Sequence, residues 1–166
     1  MLLASLPALG PLFAEKQTPI SRFRLDKRLG MLDPEDRALV AAIENVLAWR
    51  NLDDDITGEE VGARVEQALS MTESSTLRRL VERRMEIRTC VAALRRRAAG
   101  EGPPTGERGW GYGRWCRRIL DKWSAPGLGL DHVFPWLIDA NRMLSDNDPY
   151  GLERLLLEVA YRDLVR

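Results

Sequence analysis

Apolar residues recur along most of this chain at the three-and-four spacing of an amphipathic helix, and no segment alternates in the manner of a strand. The clearest case runs from Thr72 to Ala99, where at about 100° per residue Leu77, Leu80, Val81, Ile87, Val91, Leu94 and Ala98 gather into one stripe. Thr72 is placed to cap this helix. Upstream, Ser21 can cap a short helix through Met31. Asp33 followed by Pro34 opens another that ends near Asn51, with Leu39, Val40, Ile43, Val46 and Leu47 inward. Thr57 with Glu60 forms a capping box for a helix to about Leu69. Downstream, the pattern returns over Trp110 to Trp123, weakened by Gly111 and Gly113. A helix is expected from Asp131 to about Leu144, and a last one starts at Asp148 and Pro149 with Leu152, Leu155, Leu156, Val159 and Ala160 inward.

The expected architecture is therefore all-α: an irregular bundle of about seven helices, preceded by an extended arm over Met1 to Thr18 whose Leu2, Leu3 and Leu6 can tuck against the body. Residues 1–166 read as a single helical domain. The stretch GEGPPTGERG, residues 100–109, is its one clear break, a mobile loop between two helical layers.

The long helix departs from a simple amphipathic pattern in carrying eight arginines, three of which, Arg84, Arg88 and Arg95, fall within the apolar arc. A guanidinium keeps its charge, so an arginine in an apolar seam must meet a carboxylate or carbonyls, or reach water. Two readings stay open. Either acids of this chain close the seam, or another protein completes it and brings its own acids. Arg78, Arg79, Arg83, Arg96 and Arg97 point elsewhere and are expected to make ordinary i,i+3 and i,i+4 pairs with Glu82 and Glu86.

Charge sharpens this picture. The 25 basic and 25 acidic residues cancel, so no global attraction to nucleic acid or anionic membrane follows. Counted by segment, however, residues 1–32 carry +3, 33–73 carry −8, 74–122 carry +8 and 123–166 carry −3. An acidic block beside an equally basic one is read either as two elements attracting each other within the fold or as two faces for differently charged partners. The preference for arginine over lysine is read as base composition of the genome before phosphate recognition.

Candidate chemistry is sparse. A single histidine, His132, makes a histidine-based metal site or catalytic triad improbable and is expected at the surface or as a cap. Cys90 and Cys116 are too few for a disulfide framework and lack the C-x-x-C spacing, which suits a reduced cytoplasmic setting. Asp53 to Gly58 and Asp146 to Gly151 imitate the start of a calcium loop, but the twelfth positions are Arg64 and Leu157 where a glutamate is required. Both are better read as capped helix starts. The segment from Gly109 to Gly113 has no P-loop lysine and follows no strand. Trp110 and Tyr112 interleaved with Arg114, Arg117 and Arg118 could stack on single-stranded nucleic acid with steep salt dependence, but Trp115, Ile119 and Trp123 recur as core residues would. Glu59, Glu60 and Asp53 to Asp55 could serve acid–base chemistry only if buried, and that loop reads as solvated. Pro7 and Pro11 interrupt the apolar N-terminus, which lacks a basic n-region, and no apolar run is long enough to span a membrane. The expectation is a chain with no catalytic, cofactor-binding or metal-binding residues.

Three stretches, taken together, resemble a known family. They are LLASLPAL with MLDPEDRALVAAI and NVLAWRNL, then VERRMEIRTCVAALRRRAAG, then DNDPYGLERLLLEVAYRDL. They are similar to an uncharacterised bacterial family associated with V-type ATPases, and more distantly to the helical V-type ATPase subunit that links the central stalk to the rotor ring. That resemblance implies a non-enzymatic helical subunit or assembly factor. It would be cytoplasmic, meeting the inner membrane only through partner subunits and binding stalk or rotor proteins. Arg84, Arg88 and Arg95 would form one contact and Asp53, Asp54 and Asp55 a second. A helical adaptor or regulator unrelated to ATPases would use the same arginine seam.

Overall fold

Most helices start where a short polar side chain or a proline can satisfy or replace the free N–H groups of a first turn. The computed structural model describes residues 6–8, 10–14, 18–48, 57–104 and 110–165. Among these the chain is all-α, with seven helices: α1 (Arg22–Leu29), α2 (Pro34–Leu47), α3 (Gly58–Ser70), α4 (Ser75–Ala98), α5 (Cys116–Asp121), α6 (Trp136–Ser145) and α7 (Pro149–Leu164). Ser21 accepts from the Arg24 N–H, the Thr57–Glu60 capping box is complete, and Asp148 accepts from the Gly151 N–H at 2.8 Å. Asp33 occupies the N-cap of α2 without a side-chain hydrogen bond, so Pro34 at the first position is what suits that start.

Several boundaries differ from the sequence pattern. The cap of α4 is Ser74, whose hydroxyl accepts from the Leu77 N–H, while Thr72 accepts from the Ser74 N–H one step earlier. The expected helix over Trp110 to Trp123 shrinks to α5: residues 110–115 are bends and turns, with Gly111 and Gly113 set close against Thr89 and Glu86 of α4. The expected start at Asp131 moves to Trp136: residues 131–134 make tight turns, and Pro135 disfavours helical backbone at Phe134 before it. Helix α1 stops at Leu29 and α2 at Leu47, whereas Asn51 lies outside the described residues.

The 24 residues of α4 organise the rest. Val81 and Met85 join Val46 of α2 and Val65, Ala68 and Leu69 of α3 in one core. Ile87, Cys90, Val91, Ala93 and Leu94 join Ile119, Leu128, Leu130, Phe134, Leu137, Leu152 and Val159 in a second, larger one. The single stripe expected from periodicity is thus two adjoining arcs, and the stripe's terminal Ala98 is exposed. Long-range ion pairs brace this frame: Arg22 meets Glu44 on α2, and Arg83 meets Asp163 of α7 at 3.4 Å.

The N-terminal arm touches α7. The Tyr161 hydroxyl donates to the Gly10 carbonyl at 2.6 Å, and the Arg154 guanidinium lies 4.8 Å from the Phe13 ring centre. Leu6 is half-buried; Leu2 and Leu3, like residues 105–109 of the expected mobile loop, lie outside the described residues.

Phe134 anchors the larger core. Fully buried, it meets the rings of Trp115 and Trp136 edge-on at 6.4 and 6.1 Å and carries the Arg83 guanidinium 4.0 Å from its centre. Phe134→Ala should cost about 3–5 kcal/mol in urea unfolding, whereas Phe23→Ala, at a side chain 79% exposed on α1, should change stability by less than about 0.5 kcal/mol. Equal effects would show that Phe134 does not hold this core.

Candidate functional site

Residues 84, 88, 91 and 95 recur at i, i+4, i+7 and i+11, so a helix places them in one row. In α4 this row borders a groove of about 440 Å³. Arg84, Arg88 and Arg95 line it, with Ile87 and Val91 among them; the other wall is the first half of α7, with Leu152, Glu153, Leu156 and Leu157, and Leu47 at the end of α2 also borders it. Thus all three arginines singled out by periodicity share one groove. Arg84 and Arg88 are half-buried and Arg95 is exposed. Burial lowers the pKa of Arg88, the direction expected for a cation withdrawn from water. Arg84 makes no ion pair or side-chain hydrogen bond among the described residues. Asp53, Asp54 and Asp55, the expected second contact, lie outside the described residues.

The remaining arginines of α4 do not make the ordinary helix-surface pairs expected of them. Arg97 is a structural clasp: it donates to the carbonyls of Trp123 and Ala125 at 2.5 and 2.6 Å, to Pro126 at 3.0 Å and to Asn141 Oδ1 at 2.6 Å, fixing the 123–126 turn to α6. Arg78 donates to the Leu69 carbonyl at the end of α3, Arg96 pairs with Glu101, and Arg83 reaches α7. Because α4 has partners on several sides, its long side chains find carbonyls and acids on neighbouring elements before those one turn away.

On another face of α4 lies a wider, polar cleft of about 790 Å³ bordered by Arg79, Glu82, Arg83, Glu86, Tyr112, Arg114 and Asp163. The segment Gly111-Tyr112-Gly113 closes against the helix there. The Tyr112 N–H donates to the Thr89 hydroxyl at 2.9 Å, and that hydroxyl lies 3.0 Å from the Tyr112 carbonyl and 3.1 Å from that of Met85. Only glycine permits this approach: a Cβ at Gly111 would stand 2.6 Å from Thr89 Cγ2, and Gly113 has φ +97° with Glu86 Cγ 2.8 Å from where its Cβ would be. These glycines therefore serve backbone packing. The Tyr112 hydroxyl donates to Glu66 at 3.1 Å, and Trp110 packs edge-on to Trp123 at 6.4 Å. The side chains that would stack on nucleic-acid bases are engaged in the fold.

Glu86 is only 9% exposed. Burial raises its pKa, opposed by Arg114, whose Nε lies 3.5 Å away. Burial also pushes the Cys90 thiol up to about 12 and raises that of Cys116, so neither is activated as a thiolate. The Glu60 carboxylate is spent on the Thr57 cap, whose backbone N–H lowers its pKa, and His132 is exposed. Among the described residues no group of three or more His, Cys, Asp or Glu could hold a metal ion, and no helix is long and apolar enough to cross a membrane.

Comparison of the chain with protein-family models, with curated proteins and with solved structures gives no match.

Glu86 gives stability a pH signature. Its folded-state pKa lies above the ordinary 4.5, so between these two values the folded chain holds more protons than the unfolded one, and stability falls as pH rises through that window. Above the raised value the cost of the buried charge is fully present. Glu86→Gln should remove this slope while leaving the Thr57–Glu60 contribution, which has the opposite sign, in place. Urea unfolding from pH 4 to pH 8 checks this; an unchanged slope in the variant would assign the pH dependence to other carboxylates.

Proposed function

We propose that this chain is a non-enzymatic helical subunit or assembly factor that works by protein–protein contact, with the arginine-lined groove beside α4 as its contact surface. The observation that carries the reading is the meeting of Arg84, Arg88 and Arg95 with an apolar wall of α7 leucines in one groove. Charged groups flanking an apolar strip set the register and suppress wrong partners, while the strip supplies the burial. The assembly is a bacterial V-type ATPase, as the three stretches compared above imply, and the chain would sit in the cytoplasm at the periphery of the membrane through stalk or rotor subunits.

A helical adaptor outside the ATPase would use the same groove, and the identity of the recovered partner separates the two. Affinity purification of the tagged chain from its native host should recover ATPase stalk or rotor subunits. Arg84→Glu with Arg95→Glu should lower that recovery at least about tenfold, a cost of roughly 1.4 kcal/mol or more at the interface. Recovery without any ATPase subunit overturns the ATPase assignment. Recovery indifferent to the double reversal removes the groove from the contact.

A further inference from the structure

We infer that the outward face of α1 lies on an anionic lipid bilayer, with Phe23 entering the acyl boundary and Arg24, Lys27 and Arg28 meeting headgroup phosphates. The inference stands apart from the groove beside α4 and does not need it.

At about 100° per residue Phe23, Lys27, Arg24 and Arg28 fall in that order within an arc of about 140°, opposite Leu25 and Leu29, which are half-buried. The Phe23 side chain is 79% exposed, Arg24 and Lys27 are exposed, and Arg28 is half-buried at the edge of the face. The one acid of the helix, Asp26, is engaged: it accepts from Arg22 at 2.8 Å, and Arg22 also reaches Glu44 of α2. Arg24, Lys27 and Arg28 make no ion pair or side-chain hydrogen bond among the described residues. The face is therefore a bare ring beside three cations.

Folding alone does not call for this pattern. The helix dipole favours Lys27 and Arg28 in the last turn but opposes cations in the first, where α1 has no acid. Arg22 is compensated by its two carboxylates, and Arg24 is not. No residue of α1 is buried. The helix is held to α2 by the Arg22–Glu44 pair and by Arg37, which donates to the carbonyls of Gly30 and Leu32 at 2.9 and 3.0 Å. Met31, in the turn so held, is 67% exposed. A ring left in water and a cation at the wrong end of a helix are costs to the free chain, and both become favourable against a layer of phosphates over hydrocarbon.

The outward side of a helix is convex, and neither cavity described above includes a residue of α1. A protein partner would have to supply a pocket fitted to a protruding ring and carboxylates set around it, whereas a fluid interface supplies acyl chains and phosphates at any spacing. Eight residues lying flat extend about 12 Å, so the contact is peripheral. Resting on three cations and one ring, it is reversible and sensitive to salt.

Flotation of the 166-residue chain with vesicles of equal parts phosphatidylglycerol and phosphatidylcholine tests the inference. The chain should float with these vesicles, should not float with phosphatidylcholine alone, and should be released as salt is added. Phe23→Ala should weaken binding at least about fivefold, and Arg24→Glu with Lys27→Glu at least about tenfold. Arg117→Glu with Lys122→Glu, the same change of charge at exposed positions on and beside α5, should leave binding unchanged. Circular dichroism checks that each variant is folded; Arg24→Gln with Lys27→Gln, which only removes charge, serves if the reversal unfolds α1 and should also weaken binding.

Absence of binding to the phosphatidylglycerol vesicles, or an equal loss from the Arg117 and Lys122 reversal, overturns the inference. Full binding by Phe23→Ala, or release of the chain from the vesicles by polyglutamate at matched charge, assigns the face to an acidic protein and overturns it too. These variants leave Arg84, Arg88 and Arg95 in place, so failure here does not bear on the contact reading of the groove.

Discussion

Helix α4 must be buried on two sides at once, and most of the structure answers that requirement. Its Val81 and Met85 complete a core with α2 and α3, and its Ile87 to Leu94 complete a larger one with α5, α6 and α7. Neither group of short helices has another long apolar partner among the described residues. A helix committed in two directions has little surface left, and several of its eight arginines are drawn to neighbouring segments. Those whose surroundings offer carbonyls or acids clasp the fold, as Arg97 and Arg83 do. Arg84, Arg88 and Arg95 border the groove beside α7.

The distribution explains why the arginines divide as they do. Arg97 sits where α4 ends beside the 123–126 turn, a place rich in carbonyls not used by any helix, and a planar guanidinium can satisfy several at once. Arg84, by contrast, borders the groove with the α7 leucines and makes no ion pair or side-chain hydrogen bond among the described residues. The same side-chain type is structural at one position and available for recognition at another because of what the neighbouring element presents.

Much of this was legible in the sequence, for identifiable reasons. Caps and the 3.6-residue period gave the all-α class and the starts of α2, α3 and α7, since Pro34, the Thr57–Glu60 box and Asp148 act within one turn. The register of Arg84, Arg88 and Arg95 put them on one face because a rigid helix converts spacing into direction. The α7 wall of the groove was not legible, since it depends on which helix packs against which across some sixty residues of chain. Arg97 was misjudged for the same reason: three of its acceptors come from a loop 26 to 29 residues on and the fourth is Asn141 of α6. The Gly111 and Gly113 pair did carry a local signal, two glycines flanking one aromatic after a break, which indicates close backbone approach, but the partner, Thr89 in mid-helix, is visible only in three dimensions.

Native-state hydrogen exchange of the 166-residue chain, resolved along α4, tests the shared-helix account most directly. If α4 belongs to both cores, the amides from Met85 to Leu94 exchange only through global unfolding, and the protection of α2, α3, α6 and α7 is lost with theirs at a common denaturant concentration. Loss of protection in α2 and α3 well before any change in α4, with α6 and α7 intact, would contradict it and make α4 a member of the larger core alone.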